Sequence, residues 1–531
     1  MSQLSLVHAQ KKPLGSRNIN ISTNNQKDPV LSADGSFIIY LSDYSPTRDY
    51  QPFMSEGNGF ERWEKPELVE KVFKTNLELI NGYFLTNDGS KMLISSRRAK
   101  GIGGYDIWEV EKNGKYWGVP INFGKPLNTL GNEGGASLSP DEKEMYFMRC
   151  ETMAPKKVDG CKILISEKKG SRWGEGQEIS GAINEYNAAY PKILSDNQTL
   201  LFSSDRPGGK GGWDFYISKK ENGTWSKPIN VEIANTDSDN LAGSIPARGD
   251  VFFFSGQYKG KEQLLIAKLP PELQPKKVIM SEGIITDSNG QPIQAIVSAY
   301  DIDLGQEIYV GLNEEDGTFK TFLPEGHLYD LSFFPLNNDH SFKSFTYDFT
   351  TPETSKKENF EISLEPLSNG TQFELENLRF NIYSSDVSNQ SEIEINRLKR
   401  LLQKNPSMEV ELEVNAEKIF SDTIVSSPEL TELIIDTVYN PIDLAVLDSI
   451  ELDSIFHIEA FVFNEDSTQY LSEIDTTFYN DRTEKQALKL SEKLLLEGFP
   501  EEKFTVIGNS GPEGLPSDTV NYWVELKVLS Y

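Results

Sequence analysis

The hexapeptides Gly103-Gly104-Tyr105-Asp106-Ile107-Trp108 and Gly211-Gly212-Trp213-Asp214-Phe215-Tyr216 are two copies of one pattern in the first half of the chain. A second pattern, an Asp-containing turn followed by a short apolar run, recurs around them. Its copies are Ser32-Ala33-Asp34-Gly35, Thr86-Asn87-Asp88-Gly89, Ser139-Pro140-Asp141-Glu142 and Ser195-Asp196-Asn197, with a weaker fifth at Pro246-Ala247-Arg248-Gly249. The aspartates at 34, 88, 141 and 196 are separated by 54, 53 and 55 residues. A structural unit therefore repeats along this half of the chain.

Each repeat predicts a small antiparallel sheet. Asp-Gly and Asn-Gly pairs favour tight turns between strands, and the apolar runs between them are short and β-rich. One unit holds about four strands, as in a propeller blade whose apolar faces are covered when neighbouring blades stack. Residues 14–20 resemble the end of a unit, whereas the fifth unit stops near Leu269 without its last strand. We therefore expect an all-β five-bladed propeller over residues 14–270, closed by an N-terminal strand that completes the final blade.

The composition of the chain limits the classes of function. Its 531 residues allow about three or four domains, and 81 acidic against 52 basic residues give a net charge of −29. A polyanion of this kind repels nucleic acid and anionic lipid headgroups, so we expect neither as a partner. Hydrophobic residues make up 37% and aromatic residues 11%, which is enough for packed cores. No apolar run approaches the roughly 20 residues that span a bilayer, so we expect no direct membrane insertion.

Two local features bear on the compartment. Residues 1–13 form a tail in which a short apolar stretch and Val7-His8-Ala9 precede a polar start. This pattern fits either the remnant of a secretory signal or an ordinary flexible N-terminus. The two cysteines, Cys150 and Cys161, flank a turn-like segment between strand-like runs, where a hairpin would bring them to a separation compatible with a disulfide. Two unpaired buried thiols are the alternative.

The pattern changes twice after the repeats. The segment Pro270–Pro275 predicts a rigid linker, and residues 271–365 hold short alternating runs with Asp-Gly and Pro-Glu-Gly turns, typical of a small β-sandwich. Residues 366–531 then predict an α/β domain with an insertion at about 418–478. Its predicted elements are a strand at 378–383, a helix at 391–403, a strand at 408–414, a helix at 482–497 and two final strands at 504–507 and 523–528.

These patterns resemble known families. The Asp-Gly turns, the Gly-Gly-Tyr-Asp-Ile-Trp copies and the later Trp117-Gly-Val-Pro-Ile-Asn122 resemble the WD40-like (PD40) repeats of TolB-type propellers, frequent in periplasmic proteins of Bacteroidetes. The sandwich resembles the carboxypeptidase regulatory-like domain, a non-catalytic spacer in most contexts. The last region resembles the OmpA-like domain, which holds peptidoglycan non-covalently. This domain order is similar to the peptidoglycan-binding component of the type IX secretion and gliding machinery, although the helical repeats and lipid-bearing Cys of that component have no counterpart in this sequence.

The OmpA-like resemblance implies a ligand site that this sequence alters. In the family the strand ends Gly-His-Thr-Asp, and that Asp grips the diaminopimelate of the wall peptide together with an Arg on the second helix. Here the strand ends Val414-Asn415-Ala416-Glu417, the helix position falls on Gln486 or Ala487, and Arg482 stands one turn early. The degenerate site is therefore Asn415, Glu417 and Gln486, with Glu417 as a substitute carboxylate. We expect peptidoglycan binding to be weak or lost; the rival prediction is a degenerate fold kept as a docking surface.

The sequence shows no motif for catalysis. The 531 residues include four histidines, and neither His-Glu-x-x-His nor Gly-x-Ser-x-Gly is present. Acidic pairs such as Asp237/Asp239 and Asp301/Asp303 indicate solvated loop carboxylates rather than a calcium site, because their spacing is unlike an EF-hand. We therefore predict no catalytic residue, no cofactor, no metal site and no enzymatic activity.

The predicted function is a periplasmic scaffold, associated with the outer membrane or cell wall, that links a protein complex to the cell envelope. Its expected partners are envelope proteins, among them type IX secretion or outer-membrane components. Propeller loops carry aromatic and Arg groups of the kind found at interface hot spots. The alternative is that these loops are merely solvated. The candidate residues are Tyr50, Phe53 and Phe60 in the loop 45–62, and Arg97 and Arg98 in the loop 97–104. The alternative is a propeller-fold glycan-binding protein or glycan-active enzyme, which convergent His, Arg and Asp side chains in the central funnel would favour.

Overall fold

The computed structural model describes most of the chain. The described residues are 12–14, 18–20, 23–44, 50–58, 62–73, 82–113, 116–154, 157–170, 172–351, 359–381, 384–416, 432–441, 461–463, 469–479, 482–509 and 522–531. The chain divides into two compact units, Met1–Leu364 and Glu365–Tyr531. In the described part of the chain no helix is long and apolar enough to cross a bilayer.

The first unit begins with five antiparallel sheets, which we number 1 to 5 along the chain. Sheet 1 comprises Gln26–Leu31, Phe37–Ser42, Gln51–Asn58, Arg62–Trp63 and Glu67–Leu68. Sheet 2 comprises Tyr83–Leu85, Lys91–Ser96, Asp106–Asn113, Tyr116–Trp117 and Ile121–Asn122. Sheet 3 comprises Asn132–Leu138, Glu144–Ala154, Lys157–Lys169, Arg172–Trp173 and Gln177–Glu178. Sheet 4 comprises Ala188–Ile193, Thr199–Ser204, Asp214–Glu221, Thr224–Trp225 and Ile229–Asn230.

Sheet 5 combines strands from both ends of the repeat region. It comprises Gly243–Ser244, Val251–Tyr258, Lys261–Lys268 and the N-terminal strand Lys12–Pro13. Lys12 and Pro13 pair antiparallel with Ile266 and Leu265, so the N-terminal strand supplies the outer position that the fifth repeat lacks. The helical elements of this region are short: Val69–Phe73 is α-helical, and Ala182–Glu185 and Pro271–Leu273 are 3-10 turns.

The hydrophobic core of this region consists of clusters between neighbouring sheets. Such clusters join sheets 1 and 2, 2 and 3, 3 and 4, and 4 and 5. A further cluster places Phe253 and Leu264 of sheet 5 against Leu31 and Ile38 of sheet 1. The fifth sheet therefore packs on the first, and the mostly β, propeller-like fold predicted for this half of the chain is confirmed in this coarse form.

An asparagine recurs in the loop that follows a sheet, and its side chain bonds back to a strand of that same sheet. The side chain of Asn128 accepts from the backbone N–H of Ile107 at 2.9 Å and donates to its C=O at 2.9 Å, so the amide replaces a strand residue. Three more asparagines make the same pair of bonds. They are Asn184 with Ile163, Asn235 with Phe215, and Asn20 with Leu264. Each amide accepts from a strand N–H and adds a second bond to a C=O that also accepts from a backbone N–H. It therefore stabilises the junction between sheets.

Two facing sheets complete the first unit. One comprises Thr318–Pro324, Val278–Asp287 and Asn359–Leu364, and the other comprises Gln306–Leu312, Ala295–Asp301, Leu328–Pro335 and Lys343–Asp348. Their apolar faces enclose one core that includes Ile285, Val297 and Phe333. We call this pair the sandwich. The predicted linker before it is a packed element, because Leu273 is 4% exposed and belongs to the core of sheets 4 and 5.

The second unit contains a four-stranded sheet and two helices. In spatial order the strands are Gln372–Glu374, Tyr522–Ser530, Glu409–Ala416 and Phe504–Asn509. The last two are parallel, and the helices are Glu392–Lys404 and Thr483–Leu496. Short 3-10 turns occupy Asn389–Ser391 and Glu501–Lys503. Within the predicted insertion, Glu432–Pro441, Gln469–Tyr479 and Phe461–Phe463 form a separate antiparallel sheet.

The strand predicted at 378–383 is wrong for its described residues, 378–381. The edge strand is Gln372–Glu374 instead. The backbone N–H and C=O of Arg379 bond to the hydroxyl of Ser391, at 2.8 and 2.9 Å. A side chain at the start of the following helix thus takes the place of a neighbouring strand, which alternation of apolar residues cannot reveal.

Candidate functional site

The five sheets have two ends, and the sandwich contacts one of them. We call the end that carries the Asp-containing turns the turn end. Lys320 of the sandwich places its Nζ 2.6 Å from Oδ2 of Asp34, and Lys143 places its Nζ 2.8 Å from Glu307 Oε2. Phe322 is 2% exposed and packs with Ala33 and Ala247. The turn end is therefore the contact surface between the repeat sheets and the sandwich.

The charge at this contact is set by hydrogen bonding. Burial by itself would raise the pKa of Asp34, but bonds from Lys320, Ser32 and Ser36 outweigh it and hold the pKa at about 2. The carboxylate therefore remains ionised and paired with Lys320 across the physiological range. The same aspartate closes its own turn, since Oδ1 accepts from the backbone N–H of Ser36 at 2.9 Å.

The opposite end, which we call the loop end, contains the Gly-Gly-aromatic-Asp copies. Asp106 and Asp214 are 0% and 1% exposed. Oδ2 of Asp106 accepts from the backbone N–H of Ile102 at 2.5 Å, and Oδ2 of Asp214 accepts from those of Lys210 and Gly211 at 2.7 and 3.1 Å. Each buried carboxylate thus organises the glycine-rich loop that precedes it.

The glycines of this motif allow a close approach between neighbouring segments. A Cβ on Gly103 would lie 2.3 Å from the carbonyl oxygen of Thr129, and one on Gly211 would lie 2.4 Å from that of Ser238. Neither distance is tolerable, so only glycine fits at these two positions. The motif therefore builds rigid loops, and its recurrence has a structural cause.

We expect Asp214→Ala to lower the free energy of unfolding of the first unit by about 2 to 3 kcal/mol, because the N–H groups of Lys210 and Gly211 lose their acceptor. Urea denaturation followed by tryptophan fluorescence measures this. Asp205→Ala is the matched control, since Asp205 is exposed and its carboxylate accepts from the side chain of Asn187 at 2.7 Å. Equal stability of the two variants would contradict the role given to Asp214.

A disulfide braces one loop of this end. Cys150 and Cys161 are directly paired across the long hairpin of sheet 3, and the structure joins them by a disulfide. Cys161 also donates its backbone N–H to Oδ1 of Asn187 at 2.8 Å, which ties the hairpin to the loop before sheet 4. A covalent cross-link of this kind is typical of proteins that fold in an oxidising compartment.

The five residues predicted to bind protein fall in different surroundings. Arg97 is exposed at the loop end, with its guanidinium carbon 5.2 Å from the ring centre of Tyr105. Arg98 is half-buried, 5.5 Å from the ring centre of Trp108. Tyr50 is half-buried, and its hydroxyl donates to Glu262 Oε2 at 3.2 Å. These three residues lie on the loop end.

The other two residues do not form part of this surface. The prediction that Phe53 lies in a surface loop is wrong, because Phe53 lies in the strand Gln51–Asn58, is 7% exposed and belongs to the core between sheets 5 and 1. Alternating burial along a strand explains the error, because the sequence of residues 45–62 does not show which aromatic side chains face the core. Phe60 lies outside the described residues.

The centre of the repeat region brings together side chains from sheets 1, 2 and 4. Lys192 of sheet 4 is 9% exposed, and its ammonium donates to the carbonyl oxygen of Tyr83 in sheet 2, 5.5 Å from the ring centre of Phe84. Burial lowers the pKa of Lys192 to about 7, with the carboxylate of Asp28 in sheet 1 opposing the shift. Sequence reasoning missed this lysine because it matches no motif and its neighbours are distant in sequence.

The second unit contains the predicted peptidoglycan residues. Asn415 is 8% exposed, and its Oδ1 accepts from Nδ2 of Asn509 at 3.0 Å. Gln486 is 1% exposed in the helix Thr483–Leu496, and Glu417 lies outside the described residues. Arg482, which the family pattern places one turn early, is 1% exposed immediately before that helix. A buried guanidinium is thus present at the helix start.

Comparison with known proteins finds similar folds among solved structures. No protein-family model matches the chain and no curated protein is similar to it. Among solved structures, TolB from Acinetobacter baumannii is 12% identical with a TM-score of 0.30, over 57% of this chain and 55% of that one. A TolB from Agrobacterium tumefaciens is 13% identical with a TM-score of 0.28, over 56% and 90%. An α-L-arabinofuranosidase from Podospora anserina is 12% identical with a TM-score of 0.31, over 50% and 98%.

These comparisons correct one prediction. The expectation that the chain is not an enzyme is wrong, because chains named as glycoside hydrolases stand beside TolB chains among its structural neighbours. A motif search detects catalytic groups only when they are close in sequence, whereas a ring of sheets can assemble them from separate repeats. At these low identities the likeness concerns the fold alone.

Proposed function

We propose that this protein is a scaffold of the cell envelope whose repeat region, a five-bladed propeller, recognises a protein partner at its loop end. The observation that carries the proposal is that the turn end and the loop end of the repeat region have different surroundings. The turn end contacts the sandwich through the Lys320–Asp34 and Lys143–Glu307 ion pairs. The loop end is organised by buried aspartates and a disulfide and presents Arg97 and Lys100, both exposed. Rigid loops carrying Arg and aromatic groups suit protein recognition.

Charge supports a partner with an acidic surface. The chain carries a net charge of −29, yet the loop between the second and third strands of sheet 2 contributes Arg97, Arg98 and Lys100 without an acidic residue before Asp106. A basic patch within an acidic molecule orients an acidic partner toward the loop end and repels it elsewhere. The cross-linked Cys150–Cys161 hairpin agrees with a periplasmic location.

The C-terminal unit gives the scaffold its second attachment. We propose that it is an OmpA-like domain, that the sandwich is a carboxypeptidase regulatory-like spacer, and that the whole belongs to an envelope assembly such as the type IX secretion machinery. Asn415 bonds to Asn509, and Gln486 stands at the helix position of the family Arg, so we expect binding of peptidoglycan to be weak or lost. Sedimentation with purified peptidoglycan tests this, and strong retention that Arg482→Lys abolishes would show that the buried guanidinium had kept the family role.

Site-specific photo-cross-linking tests partner recognition. A photoreactive residue at Lys100 of the loop end should give discrete adducts with envelope proteins in intact cells, and Arg97→Glu should reduce their yield at least tenfold. The matched control places the same group at Arg172, which is exposed on an outer strand of sheet 3. Adducts of equal yield from both positions, or adducts only from the C-terminal unit, would contradict recognition at the loop end.

A second candidate function follows from the buried centre of the repeat region. Lys192, Asp28 and Tyr83 converge there from three sheets, which is the kind of arrangement that a glycan-active or glycan-binding propeller would use. Isothermal titration with acidic and neutral oligosaccharides measures it, with Lys192→Met as the variant that should remove binding.

A further inference from the structure

The sandwich contains a cluster of a histidine and two aspartates near one of its ends. Asp301 ends the strand Ala295–Asp301, and His327 directly precedes the strand Leu328–Pro335. These strands are antiparallel neighbours in which Asp301 pairs with Tyr329. The turn after Asp301 therefore brings Asp303 to the same place, and one ligand atom from each residue lies within 4.8 Å of the others.

We propose that Asp301, Asp303 and His327 bind a divalent transition-metal ion. Nδ1 of His327 lies 3.1 Å from Oδ2 of Asp301 and 3.9 Å from Oδ2 of Asp303. Ligand atoms around a tetrahedral zinc ion are about 3.3 Å apart, given metal–ligand bonds of about 2.0 to 2.2 Å. The separation of His327 from Asp301 already fits one shared ion, and Asp303 completes the set by moving closer to both.

The orientation of the histidine favours a metal over a simple ion pair. Although Nδ1 is buried and close to the Asp301 carboxylate, it makes no hydrogen bond with any residue in the described part of the chain. Its lone pair or proton is thus not aligned with that oxygen, whereas ligands of a metal point at a common centre rather than at one another. The separations of Nδ1 from the Asp301 and Asp303 oxygens, 3.1 and 3.9 Å, fit such an arrangement.

The two carboxylates are held in place by the backbone. Oδ1 of Asp301 accepts from the N–H of Leu304 at 2.9 Å, which leaves Oδ2 facing the histidine. Oδ2 of Asp303, the oxygen measured from His327, accepts from the N–H of Leu328 at 2.9 Å. Fixing of ligands by outer hydrogen bonds is characteristic of metal sites. The expectation that this pair is a solvated loop is wrong for Asp301, which is 1% exposed.

The three side chains differ in exposure, so a metal ion can reach the buried carboxylate from the side of Asp303. The side chains of Asp301, His327 and Asp303 are 2%, 17% and 47% exposed. No lysine or arginine is ion-paired with either aspartate among the described residues, so a cation is the natural counter-charge for the buried carboxylate. One nitrogen and two oxygen donors suit Zn²⁺, Co²⁺ or Mn²⁺ better than Ca²⁺, which prefers oxygen ligands alone.

Titration of the metal-free full-length protein with Zn²⁺, by calorimetry, tests the proposal. We expect one site that is weakened at least tenfold by Asp303→Asn, a change at the exposed edge that leaves the core intact, and removed by His327→Gln. His340→Gln is the control, because His340 lies 2.8 Å from the single carboxylate of Asp339. Co²⁺ should give visible absorption bands that the same two variants lose. Zn²⁺ affinity that is absent, or equal in all variants, would overturn the proposal.

Discussion

The double variant Leu14→Ala/Asn20→Ala is expected to lose roughly 4 to 6 kcal/mol of the stability of the first unit. Leu14 is 3% exposed in the core between sheets 5 and 1, and truncation of a buried leucine costs about 2 to 5 kcal/mol. Asn20 satisfies both backbone groups of Leu264, at 2.8 Å each. Its removal leaves the part-buried N–H of Leu264 without that acceptor, whereas the C=O still accepts from the N–H of Leu14 at 2.9 Å. The lost donor bond adds about 1 to 3 kcal/mol.

Hydrogen exchange measures this effect locally. The amide of Leu264 should exchange at least a hundredfold faster in the double variant, because the N-terminal segment no longer closes sheet 5. Thr23→Ala is the matched control, since Thr23 is exposed and its hydroxyl donates to Oδ1 of the adjacent Asn24. Unchanged protection at Leu264 would show that the ring of sheets is stable without its N-terminal strand.

The stability of the first unit is expected to rise with pH between about 7 and 10, and Lys192 is the cause. Burial lowers the pKa of Lys192 to about 7 from an ordinary 10.5. In this window the unfolded chain holds a proton on Lys192 that the folded chain has released, so unfolding becomes less favourable as pH rises. The slope is at most about 1.4 kcal/mol per pH unit. Below pH 7 both states are protonated, and the contribution of Lys192 becomes constant at its minimum.

Other titratable groups that face Lys192 also affect how stability changes with pH. Burial raises the pKa of Asp28, with Lys27 and Lys192 opposing the rise. Burial first, and Asp28 second, raise the pKa of Tyr83 and Tyr190 above that of free tyrosine. Their titration therefore affects stability above pH 10, outside the window assigned to Lys192.

Urea denaturation at several pH values, with Lys192→Met beside the wild type, isolates this contribution. The variant should lose the slope between pH 7 and 10 and should be more stable than the wild type at pH 6, because it buries no ammonium group. Lys100→Met, at an exposed lysine of the loop end, is the control and should retain the slope. Identical slopes in wild type and Lys192→Met would show that this lysine stays protonated in the folded chain.

Local patterns predicted local structure well. The Asp-containing turns and the short apolar runs after them predicted strands where Phe37–Ser42, Lys91–Ser96 and Thr199–Ser204 form. Turn chemistry and alternation depend on neighbours in the chain. Helical spacing likewise predicted Glu392–Lys404 and Thr483–Leu496 to within about one residue. The segment 378–381 was the exception, since a distant serine hydroxyl replaced the expected strand partner.

Sequence by itself therefore determined the repeats, their turns and the mostly β character of the first unit, all of which depend on residues close together in the chain. Tertiary structure alone decided which side chains meet. Lys192 reaches Tyr83 across 109 positions, and Asp301 meets His327 from a separate strand. Phe53 enters the core between sheets 5 and 1 instead of a surface. Burial and charge pairing at such places depend on how sheets stack, and no spacing along the chain encodes that stacking.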